Sequence, residues 1–438
     1  MTDRVAVVGM WHLGSCMTAS WLRVGKKVTA VEFDPGIAAS LRNGRAPLFE
    51  PGVDEALRDG LAREQLRVAT SGGAVAGSEF VFVAYDTPVG DDDRCDLAPI
   101  VAAIEEFGPH LDAGAVVVVS AQLPVGTARR LRTRLKTLAP AAELVYSPEN
   151  LRLGEAMRCY LEPGHIVIGA DDRAAGDRVE GLFGPMNARI FRMNLPSAEM
   201  AKHAINTFLA TSVTIANQWA DACGATGADF ADVTEVLRAD PRIGQRAYIT
   251  PGIGFSGGTL GRDLRVLEEI STSLLAGRAP LFGQVWRYNQ RRIEVVARRA
   301  AEIVGGVGGR GIALFGMTYK PGTSTLRRSL PISVARDLLA RGARVSAHDP
   351  RADWRDVTPP DGLVVTDSPY SAATAADLVV LLTEWPEYLE LDFTRLANVM
   401  ARPLVLDTKG HLRPCAAALE AAGFSLFALT PSAVDAAQ

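Results

Sequence analysis

Short apolar runs alternate with amphipathic stretches through the first half of the chain. Residues 5–9, 27–32, 80–84, 115–120, 143–146 and 165–169 are rich in aliphatic side chains and lack a continuous polar face, which predicts strands buried on both sides. Residues 36–43 and 98–107 carry helical spacing between them. Such alternation predicts a parallel sheet covered by helices. From residue 197 to about 237 the pattern becomes helical and alanine-rich, with Ala201, Ile205, Phe208 and Leu209 at helical spacing. Residues 241–261, dense in Gly and Pro, predict a loop, and residues 282–304 a second long helix. After Gly305-Gly306 the alternation returns, with strands at 311–316, 343–349, 378–382, 404–407 and 425–428 and a helix at 332–341. The chain therefore reads as α/β: two Rossmann-like domains, residues 1–196 and 305–438, joined by a central long-helix domain, residues 197–304.

Composition narrows what these domains do. A chain of 438 residues exceeds one ordinary domain, and its net charge of −4 carries both signs interspersed, with no basic stripe for nucleic acid. Any anionic substrate must be met by a local cluster. No apolar run approaches the roughly 18 residues of a membrane span, and residues 1–4 lack the features of a secretory leader. The five cysteines (Cys16, Cys95, Cys159, Cys223, Cys415) are scattered without C-x-x-C spacing. They fit reduced thiols in the cytoplasm, and no metal site is expected.

The first apolar run ends in Gly9-Met10-Trp11-His12-Leu13-Gly14, which opens a helix, and the second closes on Glu32. This is the setting of the dinucleotide fingerprint. Gly9 makes the tight turn, Leu13 and Gly14 begin the helix whose N-terminus receives a pyrophosphate, and Glu32 meets ribose hydroxyls. Glu32 also selects NAD over NADP, because it repels a 2′-phosphate. Trp11 stands where the middle glycine lets the pyrophosphate approach the backbone, and an indole fills that space. On these residues alone two readings stand: a NAD site, or a Rossmann domain without a dinucleotide.

Further segments carry a family resemblance. The stretch from Ala46 to Glu55, with Pro47, Glu50, Pro51 and Gly52, resembles the S-P-x-x-E-P-G-x-x-E motif of UDP-glucose and GDP-mannose dehydrogenases. Thr87-Pro88, Pro124-Val125-Gly126-Thr127, Ser147-Pro148-Glu149-Asn150-Leu151-Arg152 and Ser197-Ala198-Glu199-Met200-Ala201-Lys202 also resemble that family. So do Arg242-Ile243-Gly244, Pro251-Gly252-Ile253-Gly254-Phe255 and Tyr319-Lys320-Pro321-Gly322-Thr323. They occur in family order over most of the chain. The resemblance implies a nicotinamide-binding first domain, a helical dimer core and a C-terminal domain that binds a nucleotide-sugar. It also implies an activity: a sugar CH₂OH loses hydride to NAD, a cysteine captures the aldehyde, and a second oxidation gives a thioester that water releases as carboxylate.

Carried over position by position, the resemblance places the nucleophile of G-F-G-G-S-C-x-x-K-D at Thr259, in Gly254-Phe255-Ser256-Gly257-Gly258-Thr259-Leu260-Gly261-Arg262-Asp263. A threonine hydroxyl without a strong base is a poor substitute for a thiolate; its plain reading is a loop threonine bonded to its own backbone. Phe255 and Gly257 fall on the substrate side of this segment. Asp263 and Lys202 match the pair that manages the alcohol proton, and Lys202 and Asn206, four residues apart, share a helix face. Glu149 matches one glutamate of P-E-F-L-x-E-G, and Leu153 replaces the other. Lys320 and Arg327 match basic residues of F-K-x-x-T-D-D-x-R-E-S, which reaches substrate and cofactor phosphates; its acids are Ser324, Thr325 and Arg328 here. Arg242 resembles a residue that crosses a dimer to the substrate. Thr87 and Gln122, beside Tyr85-Asp86 and Ser120-Ala121, fall on the nicotinamide side.

The expected function is thus a NAD-dependent oxidoreductase of this family acting on a hydroxyl of a nucleotide, nucleoside or nucleotide-sugar. Without the thiol, one hydride transfer is expected, giving a ketone or aldehyde, or an epimer if a ketone is re-reduced. A non-catalytic nucleotide-binding partner subunit and a full four-electron 6-dehydrogenase are the alternatives. The assembly expected is a homodimer.

Overall fold

The structure, a computed structural model, describes residues 4–85, 96–355 and 357–430. It divides into two units, Met1–Ile205 and Asn206–Gln438. The first is built on strands β1 (Arg4–Val8), β2 (Lys27–Val31), β3 (Leu66–Ala69), β4 (Phe80–Val83), β5 (Val116–Val119), β6 (Glu143–Tyr146), β7 (Ile166–Ala170) and β8 (Ile190–Met193), in the spatial order 3-2-1-4-5-6-7-8. Successive residues feed opposite faces. Val5, Val7, Phe80, Phe82, Val116 and Val118 enter one core, and Ala6, Val8, Val81, Val83, Val117 and Val119 the other, which is why these strands read as unbroken apolar runs. Trp21, fully buried on helix His12–Arg23, closes one face against Phe82, Phe183 and Tyr160 at 5.5–5.9 Å between rings.

The second unit contains β9 (Gly311–Phe315), β10 (Arg344–His348), β11 (Val364–Val365), β12 (Leu378–Leu381), β13 (Leu404–Asp407) and β14 (Ser425–Ala428), ordered 11-10-9-12-13-14, with every pair parallel. Helices Phe230–Ala239, Gly258–Leu274 and Leu281–Val304 belong to the same unit. Helix Leu195–Thr226, 32 residues and so about 48 Å long, gives its first residues to one unit and the rest to the other.

Three expectations need correcting. β6 and β7 pair antiparallel, through Val145–Ala170 and Tyr146–Gly169, so the first sheet is not wholly parallel. The helical stretch 197–237 is two helices, broken where Gly227 takes φ +77° and Asp229 caps the next helix through Ala231. The loop predicted to run to residue 261 ends at Gly257, and Thr259 lies in the first turn of helix Gly258–Leu274. Among the described residues, no helix is long and apolar enough to cross a membrane.

Candidate active site

In both sheets the strand order reverses beside the first strand, between β1 and β4 and between β9 and β12, and ligands of open α/β sheets bind at such points. At β1, Gly9 takes φ +89°, and a Cβ there would stand 2.9 Å from the Tyr85 ring. A Cβ on Gly14 would come within 1.8 Å of the Gly9 carbonyl oxygen, so the helix can lie this close to the turn only with glycine at that position. Helix His12–Arg23 has no side-chain N-cap and no acid in its first turn, and the positive end of its dipole favours an anion. Glu32 is buried and accepts from Met10 N (2.8 Å) and Asp34 N (2.9 Å), one donor per oxygen. Burial pushes the Tyr85 phenol up, and the Glu32 charge adds to it.

These features fit NAD: Gly9, Leu13 and Gly14 would hold its pyrophosphate, and Glu32 retains lone pairs for a ribose. Trp11 is the departure.

Beyond β5 and β6 the site is assembled by helix Leu195–Thr226. Glu199, fully buried, accepts from Gly126 N (2.5 Å) and Ala128 N (2.6 Å), capping helix Thr127–Leu138 from another element. Burial pushes its carboxyl up, against those two N–H groups, His203 and Arg130. His203 Nε2 lies 2.9 Å from the Leu123 carbonyl, next to the half-buried Gln122. Lys202 donates to the Glu149 carbonyl (2.5 Å) and to Asn150 Oδ1 (3.0 Å), while the Glu149 carboxylate accepts from Leu151 N. Thr87 lies outside the described residues.

In the second unit Asn206 Nδ2 donates to Asp263 Oδ2 at 2.5 Å, and Arg262 Nε stands 3.6 Å from Asp263 Oδ1. Asp263 is wholly buried, so the Asn206 amide and the Arg262 guanidinium each matter to holding it there. The Gly-rich loop is clamped by side chains that sequence reasoning passed over. Asn217 accepts from Gly252 N (2.7 Å), and Arg292 donates to the Gly252 carbonyl (3.1 Å) while paired with Asp221. Asn289 makes a reciprocal pair with Phe255, at 2.8 and 2.9 Å. Gly257 N donates to the Arg328 carbonyl and Leu330 N to Ser256 Oγ, which brings Phe255, Gly257 and the Tyr319-Lys320 segment together; a Cβ on Gly257 would sit 3.7 Å from the Tyr319 ring. Arg328 pays for this contact with a left-handed φ of +54°. Thr259 is exposed and, among the described residues, its hydroxyl makes no hydrogen bond, so it is not the self-bonded loop threonine the sequence suggested. Lys320 is half-buried and Arg327 exposed. Arg242 is 88% exposed and forked onto Asp240, two residues away.

A glycine turn, a helix N-terminus and a strand-end acid, with a buried Asn–Asp pair and a clamped Gly-rich loop elsewhere in the chain, define a dinucleotide-dependent oxidoreductase with two Rossmann-like sheets. Three family models match in succession: the NAD binding domain of the UDP-glucose/GDP-mannose dehydrogenase family over residues 3–187, its central domain over 196–291 and its UDP binding domain over 313–414. The chain is 33% identical over 430 residues to a UDP-glucose 6-dehydrogenase of Pseudomonas aeruginosa, covering 94% of each, and 31% identical over 420 residues to one of Rhizobium meliloti, covering 94% of this chain and 96% of the relative. Its fold is similar to a UDP-glucose dehydrogenase from Pyrobaculum islandicum, with TM-score 0.89, 29% identity and coverage of 99% and 98%. The chain belongs to the UDP-glucose/GDP-mannose dehydrogenase family, whose members are NAD-dependent nucleotide-sugar dehydrogenases.

Proposed function

We propose that this protein removes one hydride from a hydroxyl-bearing carbon of a nucleotide-sugar, nucleotide or nucleoside, and that the carbonyl is its product. The observation that carries the reading is Thr259. It sits exposed in the first turn of helix Gly258–Leu274, where the family resemblance puts a thiol, and no base among the described residues bonds it. A second oxidation at one carbon needs the aldehyde turned into an sp³ adduct. Thr259 lacks the acidity for that, and Leu153 offers no carboxylate to help release an acyl product.

The groups needed for the first oxidation are kept. NAD, when bound, supplies the hydride acceptor. Asp263, with Asn206 on one oxygen, takes the alcohol proton, and Lys202, anchored on the Glu149 carbonyl and Asn150, orients the hydroxyl oxygen. Lys320 and Arg327 meet substrate or cofactor phosphate, with Arg242 reaching it from a second subunit. The assembly is a two-fold, cytoplasmic dimer through helix Leu195–Thr226, where Phe208, Ile215 and Trp219 form an exposed stripe at 72%, 38% and 37% accessibility.

Counting NADH per substrate consumed, together with the mass of the product, tests the reading. One NADH, or none with an epimerised product, is expected; a carboxylate formed with two NADH overturns it. Binding of a nucleotide-sugar with no hydride transfer in either direction would instead favour the partner-subunit reading.

A further inference from the structure

We propose that His12, Cys16 and Glu50 form a binding site for one divalent cation of the zinc class. His12 and Cys16 are four residues apart on helix His12–Arg23, and so share a face; Glu50 arrives from the loop before helix Val53–Ala62. One donor atom of each lies within 4.8 Å of the other two, and His12 Nε2 stands 3.1 Å from Glu50 Oε2. A tetrahedral zinc with nitrogen, sulfur and oxygen ligands sets its donors about 3.3–3.6 Å apart, so a pair at the 4.8 Å limit would need to close by about 1.2–1.5 Å.

The donor chemistry selects the ion. Imidazole, thiolate and a single carboxylate suit Zn²⁺ and disfavour Mg²⁺ and Ca²⁺, which take oxygen ligands. Binding converts the Cys16 thiol to thiolate and releases one proton to solvent. With Glu50 ionised and His12 neutral, the ligands then carry two negative charges against the ion's two positive. Glu50 is also oriented as a ligating carboxylate should be, since Gly154 N (3.0 Å) and Ala156 N (2.8 Å) both donate to it. Access separates an ion from an organic substrate. Cys16 is 1% exposed, which bars a substrate from its sulfur, whereas the His12 side chain keeps 12% of its surface open. Water fills the fourth position. The ion would fasten the first turn of the cofactor helix to two loops, the one holding Glu50 and the one holding Gly154.

The test is equilibrium dialysis of the full chain, stripped with chelator, against Zn²⁺, with Co²⁺ as a spectroscopic substitute. One ion per chain and a near-ultraviolet thiolate-to-cobalt band are expected. Cys16→Ser should abolish the band and weaken Zn²⁺ on the order of tenfold or more, and His12→Gln, which keeps a hydrogen bond to Glu50, should weaken it similarly. Cys159→Ser should change neither. A chain that binds no Zn²⁺, a Cys16→Ser variant that binds as the parent does, or a band lost in Cys159→Ser would each overturn the assignment.

Discussion

The two sheets begin alike and then diverge. Gly9 N donates to Val31 O at 3.0 Å and Gly316 N to His348 O at 2.9 Å, with φ of +89° and +86°, and an acid follows each second strand. Glu32 takes one backbone donor on each oxygen. On Asp349, one oxygen receives Met317 N, Thr318 N, Thr318 Oγ1 and Trp385 Nε1 at 2.7–3.1 Å, and the other receives Arg351 N and Ala352 N at 2.9 Å. A carboxylate offers about four acceptor positions, so Glu32 has room for a ribose and Asp349 has none. The helix after the first turn starts at His12, three residues past Gly9, whereas the next helix after Gly316 starts at Leu330. One turn is thus shaped for a ligand's pyrophosphate, and the other is consumed by the fold's own hydrogen bonds, which is why the phosphate role proposed for that unit falls to Lys320 and Arg327.

The sharpest way to break this comparison is Gly14→Val. With 1.8 Å from a Cβ to the Gly9 carbonyl oxygen, the helix must move off the turn, and we expect a loss of roughly 3 kcal/mol or more in urea denaturation together with loss of NAD binding in calorimetry. Next comes the pair of acids. Asp349→Asn sets an amide NH₂ against several donors and should cost about 3 kcal/mol. Glu32→Gln should cost about 1 kcal/mol and lower NAD affinity more than it lowers stability. Equal stability losses would mean that the two carboxylates do the same work. Trp11→Gly should tighten NAD on the order of tenfold, the relief of about 1–2 kcal/mol of crowding; an unchanged or weaker Kd would make the indole part of the binding surface.

The smallest effect is in pH. Burial holds the His348 imidazole below its usual 6.5, against the raising influence of Asp349, Asp367 and Glu387. It stays neutral in the fold while the unfolded chain takes up a proton, so its contribution is intact above pH 6.5 and is lost as the pH falls below that value. Urea midpoints should fall between pH 6.5 and about 5 by at most about 1 kcal/mol in ΔG, and His348→Gln should flatten that slope.

Much of this was legible in the sequence. β12 and β13 lie where their apolar runs place them, because strands buried on both faces leave an unmistakable signature. β3 and β8 were not legible: Leu66–Ala69 and Ile190–Met193 are edge strands with half-exposed, mixed residues. Strand direction is not encoded in periodicity either, so the β6–β7 reversal had no signal. In the site, four-residue spacing put Lys202 and Asn206 on one face, and the family motif pointed to Asp263. Partners that arrive from afar left no local trace: Asn289 on Phe255, Glu199 on Gly126, and Glu50 on His12, 38 positions away.

Glu199 has a consequence for the order in which the chain acquires its shape. Helix Thr127–Leu138 begins after a left-handed Gly126, with Arg129 and Arg130 in the first turn, where the helix dipole repels them. Its anion arrives 71 to 73 residues later. On a ribosome, that segment emerges well before its cap is made, so its first turn must wait, frayed, until helix Leu195–Thr226 docks. Glu199→Gln should therefore accelerate unfolding while leaving the refolding rate nearly unchanged, the kinetic mark of a contact formed after the transition state.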